Sequence, residues 1–461
     1  MLRLYDTVHG EVRDLATRDP GRLSMYVCGP TVYDLPHLGH GRFTLVWDVA
    51  RRWFTFRGLD VHFVSNITDI DDKIISRAQR EGVRESEVVA TYEEQWWAAM
   101  AALGVARPDD TPHATAYVAQ MVALIETFLV DDVAYVTSDG VYFDTSRVAD
   151  YGLLAGQALD SLRAGARVES NEEKRSALDF ALWKFAKPGE PIWPASFGDG
   201  RPGWHTECVV MSLGLLGDGF DLHCGGLDLK FPHHENERAQ AMAAGRAFAQ
   251  HWGHNGFVLV EGEKMSKSLG NFTSLTDLLS RTDARAYRLL VVRSHYRSPI
   301  EVSAATIADA ERALARLDAF ARRFATPDVG EDLVRATDHS FVGAAQELVD
   351  RVGALLDDDL NTPLAVAEIF DAVSTANAWA DQGASDEAAE LARAVAVLLG
   401  ALGLKIFSGD ETLDDESASL VRDRDAARSQ GNWAEADRLR DELMSRGWVV
   451  EDSANGTRIR R

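Results

Sequence analysis

Two short motifs, far apart in the chain, carry side chains suited to phosphate chemistry. The first, Pro36-His37-Leu38-Gly39-His40-Gly41, follows a predicted strand and begins a predicted helix. Helix N-termini attract anions, because unpaired N–H groups and the helix dipole both favour negative charge there. Glycine lets a phosphorylated ligand approach the backbone, and two histidines three residues apart can both donate to phosphate oxygens. Taken alone, the motif is equally typical of two ordinary histidines near a turn.

The second motif, Lys264-Met265-Ser266-Lys267-Ser268, lies in a loop between Gly262 and Gly270. Its two lysines can neutralise a polyphosphate, because the ammonium group is an effective phosphate counter-ion. Alone, it is typical of a solvated surface loop. Both motifs, however, follow predicted strands, and ligands of open α/β sheets bind at the carboxyl ends of strands. Together the two motifs therefore predict one phosphate-binding site.

Two cysteines, a histidine and a glutamate are candidate metal ligands. Cys28 follows a predicted strand at a Gly-Pro turn, and Cys208 lies where the chain is predicted to return to the sheet. His233 and Glu237 are four residues apart, on one face of a helix. Two thiolates, an imidazole and a carboxylate form a plausible zinc ligand set. The alternative is that the cysteines are small core residues and that His233 and Glu237 only pair on their helix.

The elements that must position these side chains are predicted to form an α/β fold with a doubly wound parallel sheet. Residues 23–27 have strand composition, residues 39–56 carry apolar side chains at helical spacing, and residues 60–67 again resemble a strand. Strand, helix and strand in so short a stretch form a βαβ unit, which implies parallel strands. A second block is predicted from a strand at residues 220–224, a helix from about residue 233 and a strand at residues 256–260.

The remaining segments predict an insertion and a helical C-terminal part. The insertion has its own strand patterns at residues 134–137 and 141–144. From Ser303, a plausible N-cap, the pattern becomes helical and Ala-rich, which predicts a helical bundle. Its predicted helices cover residues 303–324, 340–357, 362–381 and 385–402. An acidic linker at residues 408–417 precedes a small unit with one or two helices and a strand at residues 447–451.

These patterns divide the chain into six segments. They are the first half of the sheet domain (1–108), a connective insertion (109–200), the second half of the sheet domain (201–262), the lysine loop with the region after it (263–302), the helical bundle (303–407), and the linker with the small C-terminal unit (408–461).

Composition narrows the class of protein. The 461 residues include 48 Lys+Arg and 72 Asp+Glu, a net charge of −24, and 46% are hydrophobic, which is ordinary for a globular protein. Three cysteines cannot form a disulfide framework and indicate a reducing compartment. No secretory signal and no apolar run of about 18 residues is evident, so we expect a cytoplasmic protein without a membrane partner. The acidity argues against indiscriminate nucleic-acid binding.

At greater length, the sequence resembles the class I aminoacyl-tRNA synthetases and, among them, the cysteinyl-tRNA synthetase family. The first motif is similar to their "HIGH" sequence and the second to their "KMSKS" sequence. The other segments that carry the resemblance are Met25-Tyr26-Val27-Cys28-Gly29-Pro30-Thr31-Val32-Tyr33-Asp34, Asn66-Ile67-Thr68-Asp69-Ile70-Asp71-Asp72-Lys73, Gly203-Trp204-His205-Thr206-Glu207-Cys208, Phe231-Pro232-His233-His234-Glu235-Asn236-Glu237, Leu356-Asp357-Asp358-Asp359-Leu360-Asn361-Thr362-Pro363 and Trp433-Ala434-Glu435-Ala436-Asp437. The resemblance extends over essentially the whole chain.

The resemblance implies a Rossmann-type catalytic domain that joins L-cysteine to tRNA(Cys) through cysteinyl-adenylate. ATP with Mg²⁺ would be bound by His37, Gly39, His40, Lys264 and Lys267, of which the two histidines and two lysines would be catalytic. One Zn²⁺ per chain would be bound by Cys28, Cys208, His233 and Glu237. The cysteine pocket would comprise Gly29, Thr31, Thr68 and Trp204, with His223 nearby. Cys224 departs from the glycine of many relatives and is expected to pack near the pocket.

Zinc would have a purpose in such a site. Cysteine and serine are near-isosteres, which ordinary contacts distinguish only by about 10- to 200-fold. Zinc prefers thiolate to hydroxyl oxygen, so it could select the substrate sulfur chemically and remove the need for an editing domain. Trp204 on its own is equally consistent with a core tryptophan.

For tRNA, residues 281–299 hold five arginines against one aspartate, a local net charge of +4 in an acidic chain. The resemblance places a tRNA-contacting fold here, so the candidate contacts are Arg281, Arg285, Arg288, Arg293 and Arg297, with Trp433 or Trp448 available to stack on an anticodon base. The alternatives are solvated helix faces for the arginines and core positions for the tryptophans. The resemblance also implies that the helical bundle (303–407) and the small C-terminal unit (408–461) bind the tRNA at its anticodon end. It implies a monomer as well.

Other functions stay open on sequence alone. A related ligase of mycothiol synthesis joins cysteine to an amino-sugar inositol but lacks the C-terminal tRNA-binding portion, so residues 408–461 argue against it. A non-catalytic paralogue that binds only RNA or zinc would not need all of Cys28, Cys208, His233, Glu237, Lys264 and Lys267. A zinc hydrolase would need a general base beside the ligands, and none is obvious.

Overall fold

The computed structural model describes residues 1–156, 172–260, 262–264, 274–326, 333–407, 415–446, 448–453 and 456–460. Its first elements are β1 (Arg3–Asp6), β2 (Glu11–Asp14), β3 (Arg22–Val27), α1 (Leu38–Phe56), β4 (Asp60–Ser65), α2 (Asp72–Glu81) and α3 (Glu85–Ala102). β3 and β4 pair in parallel, so the predicted βαβ unit is confirmed. α1 is buried along most of its length, because it packs between the sheet and later helices.

The inserted segment has a sheet and a core of its own. Its elements are α4 (Val118–Val130), β5 (Ala134–Val136), β6 (Gly140–Phe143), β7 (Phe180–Phe185) and β8 (Gly200–Pro202). The four strands form an antiparallel sheet in the order β5-β6-β7-β8. The two predicted strands are present. β8 was not predicted because Gly200-Arg201-Pro202 lacks the β-branched and aromatic residues that mark a strand.

The chain then completes the parallel sheet. The elements are α5 (Trp204–Leu216), β9 (Leu222–Gly226), α6 (Glu235–Ala243), β10 (His251–Asn255), β11 (Val258–Val260) and β12 (Glu263–Lys264). The main sheet has the order β10-β9-β3-β4, with every pair parallel. This confirms the doubly wound α/β fold.

One predicted sheet strand is wrong. The stretch at residues 256–260 contributes β11, which belongs to a separate small sheet, and the strand beside β9 is β10. The strand at His251-Trp252-Gly253-His254-Asn255 was not predicted, because this sequence contains no branched aliphatic residue typical of a strand. Gly253 is required there, since a Cβ would lie only 2.5 Å from the Trp47 ring of α1.

The predicted helical bundle is confirmed. After α7 (Leu275–Leu279), α8 (Ala284–Val292) and β13 (Ile300–Glu301), it comprises α9 (Ala304–Phe324), α10 (Gly343–Asp357), α11 (Thr362–Asp381) and α12 (Ser385–Ala401). Ser303 is the N-cap of α9, and its side chain accepts a hydrogen bond from the Thr306 N–H. One hydrophobic core runs from the parallel sheet through α1 into these helices, so the bundle packs directly on the part of the chain that contains the parallel sheet.

The C-terminal unit consists of α13 (Asp415–Ser429), α14 (Trp433–Ser445) and a hairpin of β14 (Val449–Ser453) with β15 (Gly456–Arg460). Residues 408–414 of the predicted linker lie outside the described residues, and the last three of that stretch belong to α13. Trp448 is buried and donates its Nε1–H to Ser417 Oγ at 2.8 Å, so it is a core tryptophan. Within the described part of the chain, every helix is too short or too polar to span a lipid bilayer.

Candidate active site and metal centre

A cleft of about 1260 Å³ opens at the carboxyl ends of the parallel strands. β3, β9 and β10 all point their carboxyl ends toward it, as expected for an open α/β sheet. The side chains and backbone that line it include Cys28, Gly29, Thr31, Tyr33, His37, Gly39, His40, Lys73, Trp204, Asp228 and Asn255. The first motif, one cysteine and part of the predicted amino-acid pocket therefore share one cleft.

At one side of the cleft, His37 and His40 begin α1. Their rings stack with centroids 3.6 Å apart. His37 Nδ1 accepts the His40 N–H at 3.2 Å, and His40 Nδ1 accepts the His37 N–H at 3.3 Å. Because both Nδ1 atoms accept, the proton of each neutral ring is on Nε2, the atom that can donate to a phosphate. The Trp96 ring of α3 meets the His40 ring edge-on at 5.4 Å; no pattern in the sequence predicts this contact between two helices.

The described residues on either side of the lysine loop lie at β11 and at the first motif. Lys264 lies in β12, whose backbone pairs with β11. Lys267 lies outside the described residues, as does the rest of 265–273. After the loop, Ser274 bridges to His37, and the Leu275 N–H donates to the Pro36 carbonyl at 2.9 Å. The chain that follows the second motif therefore contacts the start of the first motif.

The four predicted metal ligands converge. Their ligand atoms all lie within 4.8 Å of one another, and all four residues are buried. The Cys28 sulfur is 3.6 Å from the Cys208 sulfur and 3.5 Å from Glu237 Oε1, and His233 Nε2 is 2.9 Å from the same oxygen. Tetrahedral zinc with Zn–S bonds near 2.3 Å holds two sulfurs about 3.8 Å apart. The donor set and its spacing therefore fit a zinc ion, and these residues are called the metal-site cluster below.

The proton affinities within the metal-site cluster are unusual. Burial and the neighbouring Cys208 raise the pKa of Cys28 well above its usual value. Burial opposes ionisation of Cys208, but the hydrogen bond from Cys28 and the charge of His233 outweigh it and lower its pKa to about 6. Burial opposes the charged form of His233 too, yet Glu237 raises its pKa to about 10. Electron-pair donors this close must share protons or a cation.

A second layer of polar groups orients the metal-site cluster. The two Nδ1 atoms of His205 and His233 lie 2.9 Å apart, and His223 Nε2 lies 2.6 Å from Glu237 Oε2. Burial and the neighbouring His233 lower the pKa of His205 well below its usual value, so His205 is neutral. Outer partners of this kind fix the orientation of metal ligands. His205 was not predicted, although it stands inside a quoted motif. His223, predicted near the cysteine pocket, is fully buried beside Glu237.

The predicted cysteine pocket lies over the metal-site cluster. Trp204 is 37% exposed, lines the cleft and stacks on the His233 ring at 4.1 Å, so the alternative of a core tryptophan is wrong. Thr31 and Thr68 pair through their backbones, and Thr68 Oγ1 donates to the buried Glu207 carboxylate at 2.9 Å. Gly29 must be glycine, because a Cβ would overlap the Asn66 carbonyl.

Cys224 is separate from this arrangement. It lies on β9, fully buried in the core shared by the sheet and α1, and burial raises its pKa well above the usual value. It is not one of the four residues of the metal-site cluster.

The arginines predicted to contact tRNA differ in exposure. Arg281 is exposed, and Arg293 and Arg297 are about 39% and 38% exposed while paired with acids. Arg285 is mostly buried between Asp283 and Asp318. The prediction of an RNA contact by Arg288 is wrong for this structure, because its guanidinium is 1% exposed and is paired with Asp48 at 2.7 Å.

Trp433 is different from Trp448. It is 63% exposed at the first position of α14. An exposed aromatic ring at the start of a helix is accessible to a nucleobase.

Comparison with known proteins agrees with this geometry. Residues 15–312 match the family of tRNA synthetases class I (C) catalytic domains, residues 351–407 match the DALR domain, and residues 410–460 match the cysteinyl-tRNA ligase anticodon binding domain. The chain is 43% identical to a Cysteine--tRNA ligase of Laribacter hongkongensis and 44% identical to one of Methylobacillus flagellatus, each aligned over 100% of both chains.

Solved structures with low sequence identity share the fold. Mycobacterium tuberculosis methionyl-tRNA synthetase in complex with methionyl-adenylate aligns with a TM-score of 0.59 at 17% identity, over 83% of this chain and 89% of that one. The Agrobacterium radiobacter K84 LeuRS of a ternary complex with tRNA and LeuAMS aligns with a TM-score of 0.61 at 11% identity, over 85% and 84%. The fold and the paired motifs define a class I aminoacyl-tRNA synthetase. Within that class, the chain belongs to the cysteinyl-tRNA synthetase family.

Proposed function

We propose that this chain activates L-cysteine with ATP to cysteinyl-adenylate and then transfers the cysteine to the 3′-terminal adenosine of tRNA(Cys). The observation that carries the proposal is the shared cleft: the paired histidines of α1, Cys28 of the metal-site cluster and Trp204, which stacks on His233 of that cluster, line the same space. This arrangement can bind a triphosphate at one side and a thiol at the other. The carboxylate of the amino acid then lies between them.

The phosphate side is supported by the start of α1. His37 and His40 orient each other through their Nδ1 atoms, so the N–H of each neutral ring is on Nε2, and we assign these N–H groups to phosphate oxygens. We assign the ATP to His37, Gly39, His40, Lys264 and Lys267, with Mg²⁺ bound to its phosphates. The two lysines would add positive charge as the pyrophosphate leaves. No side-chain nucleophile is needed, because the cysteine carboxylate attacks the α-phosphate.

The thiol side is supported by the metal-site cluster. We propose one zinc ion per chain on Cys28, Cys208, His233 and Glu237, whose spacing and softness fit it. When bound, zinc would select the substrate by preferring its thiolate to a hydroxyl. The protein's own part is to close the pocket, and Gly29, Thr31, Thr68 and Trp204 are the residues we assign to it, with His223 holding Glu237.

The acceptor is tRNA rather than an amino-sugar inositol, because the chain carries a C-terminal unit of the anticodon-binding kind. Trp433 is its exposed aromatic ring, and Arg281, Arg293 and Arg297 are the accessible members of the basic segment. The domain boundaries given above, a cytoplasmic location and a monomeric state are part of the same proposal.

Cysteine-dependent ATP–pyrophosphate exchange, followed by charging of tRNA(Cys) with labelled cysteine, tests the function. We expect exchange with cysteine, little with serine, and charging of tRNA(Cys). The control acceptor is the amino-sugar inositol. Labelling of that acceptor instead of tRNA would favour the mycothiol-type ligase, and metal-replete protein without any exchange would refute a ligase altogether.

A further inference from the structure

Three consecutive aspartates, Asp357, Asp358 and Asp359, join the helical bundle to the catalytic half, the part of the chain that contains the parallel sheet. Together they are called the acidic joint. Asp357 is the last residue of α10. One of its oxygens accepts the Trp53 Nε1–H at 3.1 Å, and the other pairs with Arg57 at 3.0 Å. Both partners lie at the C-terminal end of α1, the helix that begins at His37. The bundle therefore contacts the far end of the phosphate-binding helix.

The other two aspartates contact different elements. Asp358 pairs with Arg3 at 2.9 Å, and the two residues form a backbone bridge beside β1. The Asp359 carboxylate accepts the Tyr5 N–H at 2.8 Å and the Tyr296 hydroxyl at 2.7 Å on one oxygen, and Arg297 Nε at 2.9 Å on the other. Asp359 is 5% exposed, so these are shielded, charge-assisted hydrogen bonds.

The backbone of the acidic joint is strained. Asp359 and the following Leu360 have φ angles of 60° and 49°, in the left-handed region that branched side chains avoid. Such a conformation persists only where surrounding contacts determine it. Leu360 is buried, and α11 begins two residues later. The contacts of Asp359 therefore hold the turn between α10 and α11 at the point where the bundle contacts the catalytic half.

The same contacts lead back to the active site. Tyr296 and Arg297, which bond Asp359, belong to the segment between α8 and β13. That segment also binds α1, because Arg42 donates to the Tyr296 carbonyl at 3.2 Å. Arg42 lies on α1 two residues after His40 and five after His37. One short segment is thus shared by the turn of the bundle and by the first turns of the phosphate-binding helix.

We propose that the acidic joint fixes the position of the tRNA-binding helices relative to the active site, so that one tRNA can engage both. Asp359 is its central positioning residue: it contacts no substrate and acts through Tyr296, Arg297 and β1. The inference rests on the proposed function, because it concerns the transfer of cysteine to tRNA. Activation of cysteine without tRNA does not need the joint, whereas recognition of the anticodon from a distance does.

The test compares Asp359→Asn with Asp358→Asn in the full chain. Asp359→Asn keeps the shape but removes the charge. We expect cysteine-dependent exchange to change less than about twofold, while the KM for tRNA(Cys) rises about tenfold, as charge-assisted hydrogen bonds become neutral ones. Asp358→Asn is the matched control on the same turn: its pair with Arg3 is exposed, so charging should change little.

Anticodon dependence separates positioning from simple stabilisation. For the wild type and Asp359→Asn, kcat/KM is measured with tRNA(Cys) and with an anticodon-substituted tRNA(Cys). We expect the preference for the natural anticodon to shrink in the variant. Equal losses of exchange and charging, or an unchanged anticodon preference, would show that Asp359 only stabilises the fold. If Asp359→Asn does not fold, Tyr296→Phe is used instead, because it removes one hydrogen bond to Asp359. Its exchange, charging and anticodon preference are then judged by the same criteria. A wild type without exchange would instead refute the proposed function.

Discussion

Two fully buried groups of ionisable residues lie within the catalytic half, and they differ in how their charges are compensated. The metal-site cluster assembles two thiols, an imidazole and a carboxylate at a cleft. The other group, called here the buried ion cluster, comprises Asp48, Arg52 and Arg288. Asp48 accepts Arg52 Nε at 2.9 Å and pairs with Arg288 at 2.7 Å. Arg288 also donates to the carbonyls of Leu103, Gly104 and Leu402.

The difference lies in where the compensating charge comes from. The buried ion cluster has one carboxylate for two guanidinium groups, and the backbone carbonyls that accept from Arg288 stabilise the remaining positive charge. These contacts among protein groups hold α1, α3, α8 and the end of α12 together. In the metal-site cluster, electron-pair donors outnumber cationic partners: among the described residues, only histidines pair with Glu237. Burial of such donors is costly unless a cation joins them. The buried ion cluster is therefore structural, whereas the metal-site cluster is suited to binding a metal ion.

Removing one donor from the metal-site cluster should have the largest effect. In Cys208→Ala we expect loss of bound zinc and a fall in cysteine-dependent exchange of more than about 100-fold, beyond the range seen when only an outer partner of a ligand is removed. Metal analysis and the exchange assay measure it. Cys224→Ala, which removes the buried thiol outside the cluster, should keep both metal and exchange. Full activity in Cys208→Ala would refute the metal assignment.

Breaking the buried ion cluster should instead cost stability. Asp48→Asn leaves two buried guanidinium groups without their shared carboxylate, and such a break typically costs about 3–5 kcal/mol. Denaturant unfolding of the metal-loaded protein measures the loss. The zinc content of the folded variant should equal that of the wild type. If Asp48→Asn lost zinc but kept its stability, the structural role that we assign to the buried ion cluster would be wrong.

These two clusters also show what sequence can and cannot supply. The i,i+4 spacing of His233 and Glu237 made them candidate metal ligands with the two cysteines, and the resemblance to a zinc-binding family favoured this set over core cysteines. Asp48 stands in an apolar stretch of α1, which is a signal of burial, but its partner Arg288 is 240 residues away and belongs to a segment whose charge suggested RNA. Charge counts along the chain do not reveal which arginines are already paired inside the fold. The strand at His251–Asn255 was missed for a similar reason, since its neighbours, not its own residues, make it a strand.

Zinc binding to the metal-free protein should release protons in a number set by the pKa values of the metal-site cluster. At pH 8, Cys208 with its pKa of about 6 is already ionised, whereas His233 with its pKa of about 10 is protonated. Cys28 is protonated as well, because its pKa is raised. We therefore expect release of about two protons per zinc at pH 8 and about three below pH 6. Calorimetric titration in buffers of different ionisation enthalpy measures this number. Release of fewer than one proton would contradict the ligand set.

The smallest effect should come from acid acting on the buried ion cluster. Burial opposes ionisation of Asp48, but Arg288 and Arg52 outweigh it and lower its pKa in the folded protein. Its contribution to stability is therefore complete above the unfolded pKa of about 3.9 and is lost as the pH falls through the lower folded value. Thermal unfolding gives the Tm of the wild type and of Asp48→Asn. The difference between the two Tm values should be constant between pH 7 and about pH 5 and should narrow below about pH 4. If the stability difference between the wild type and Asp48→Asn instead widened in acid, protonation of Asp48 would be strengthening the cluster. The charge of Asp48 would then not be what holds these helices together.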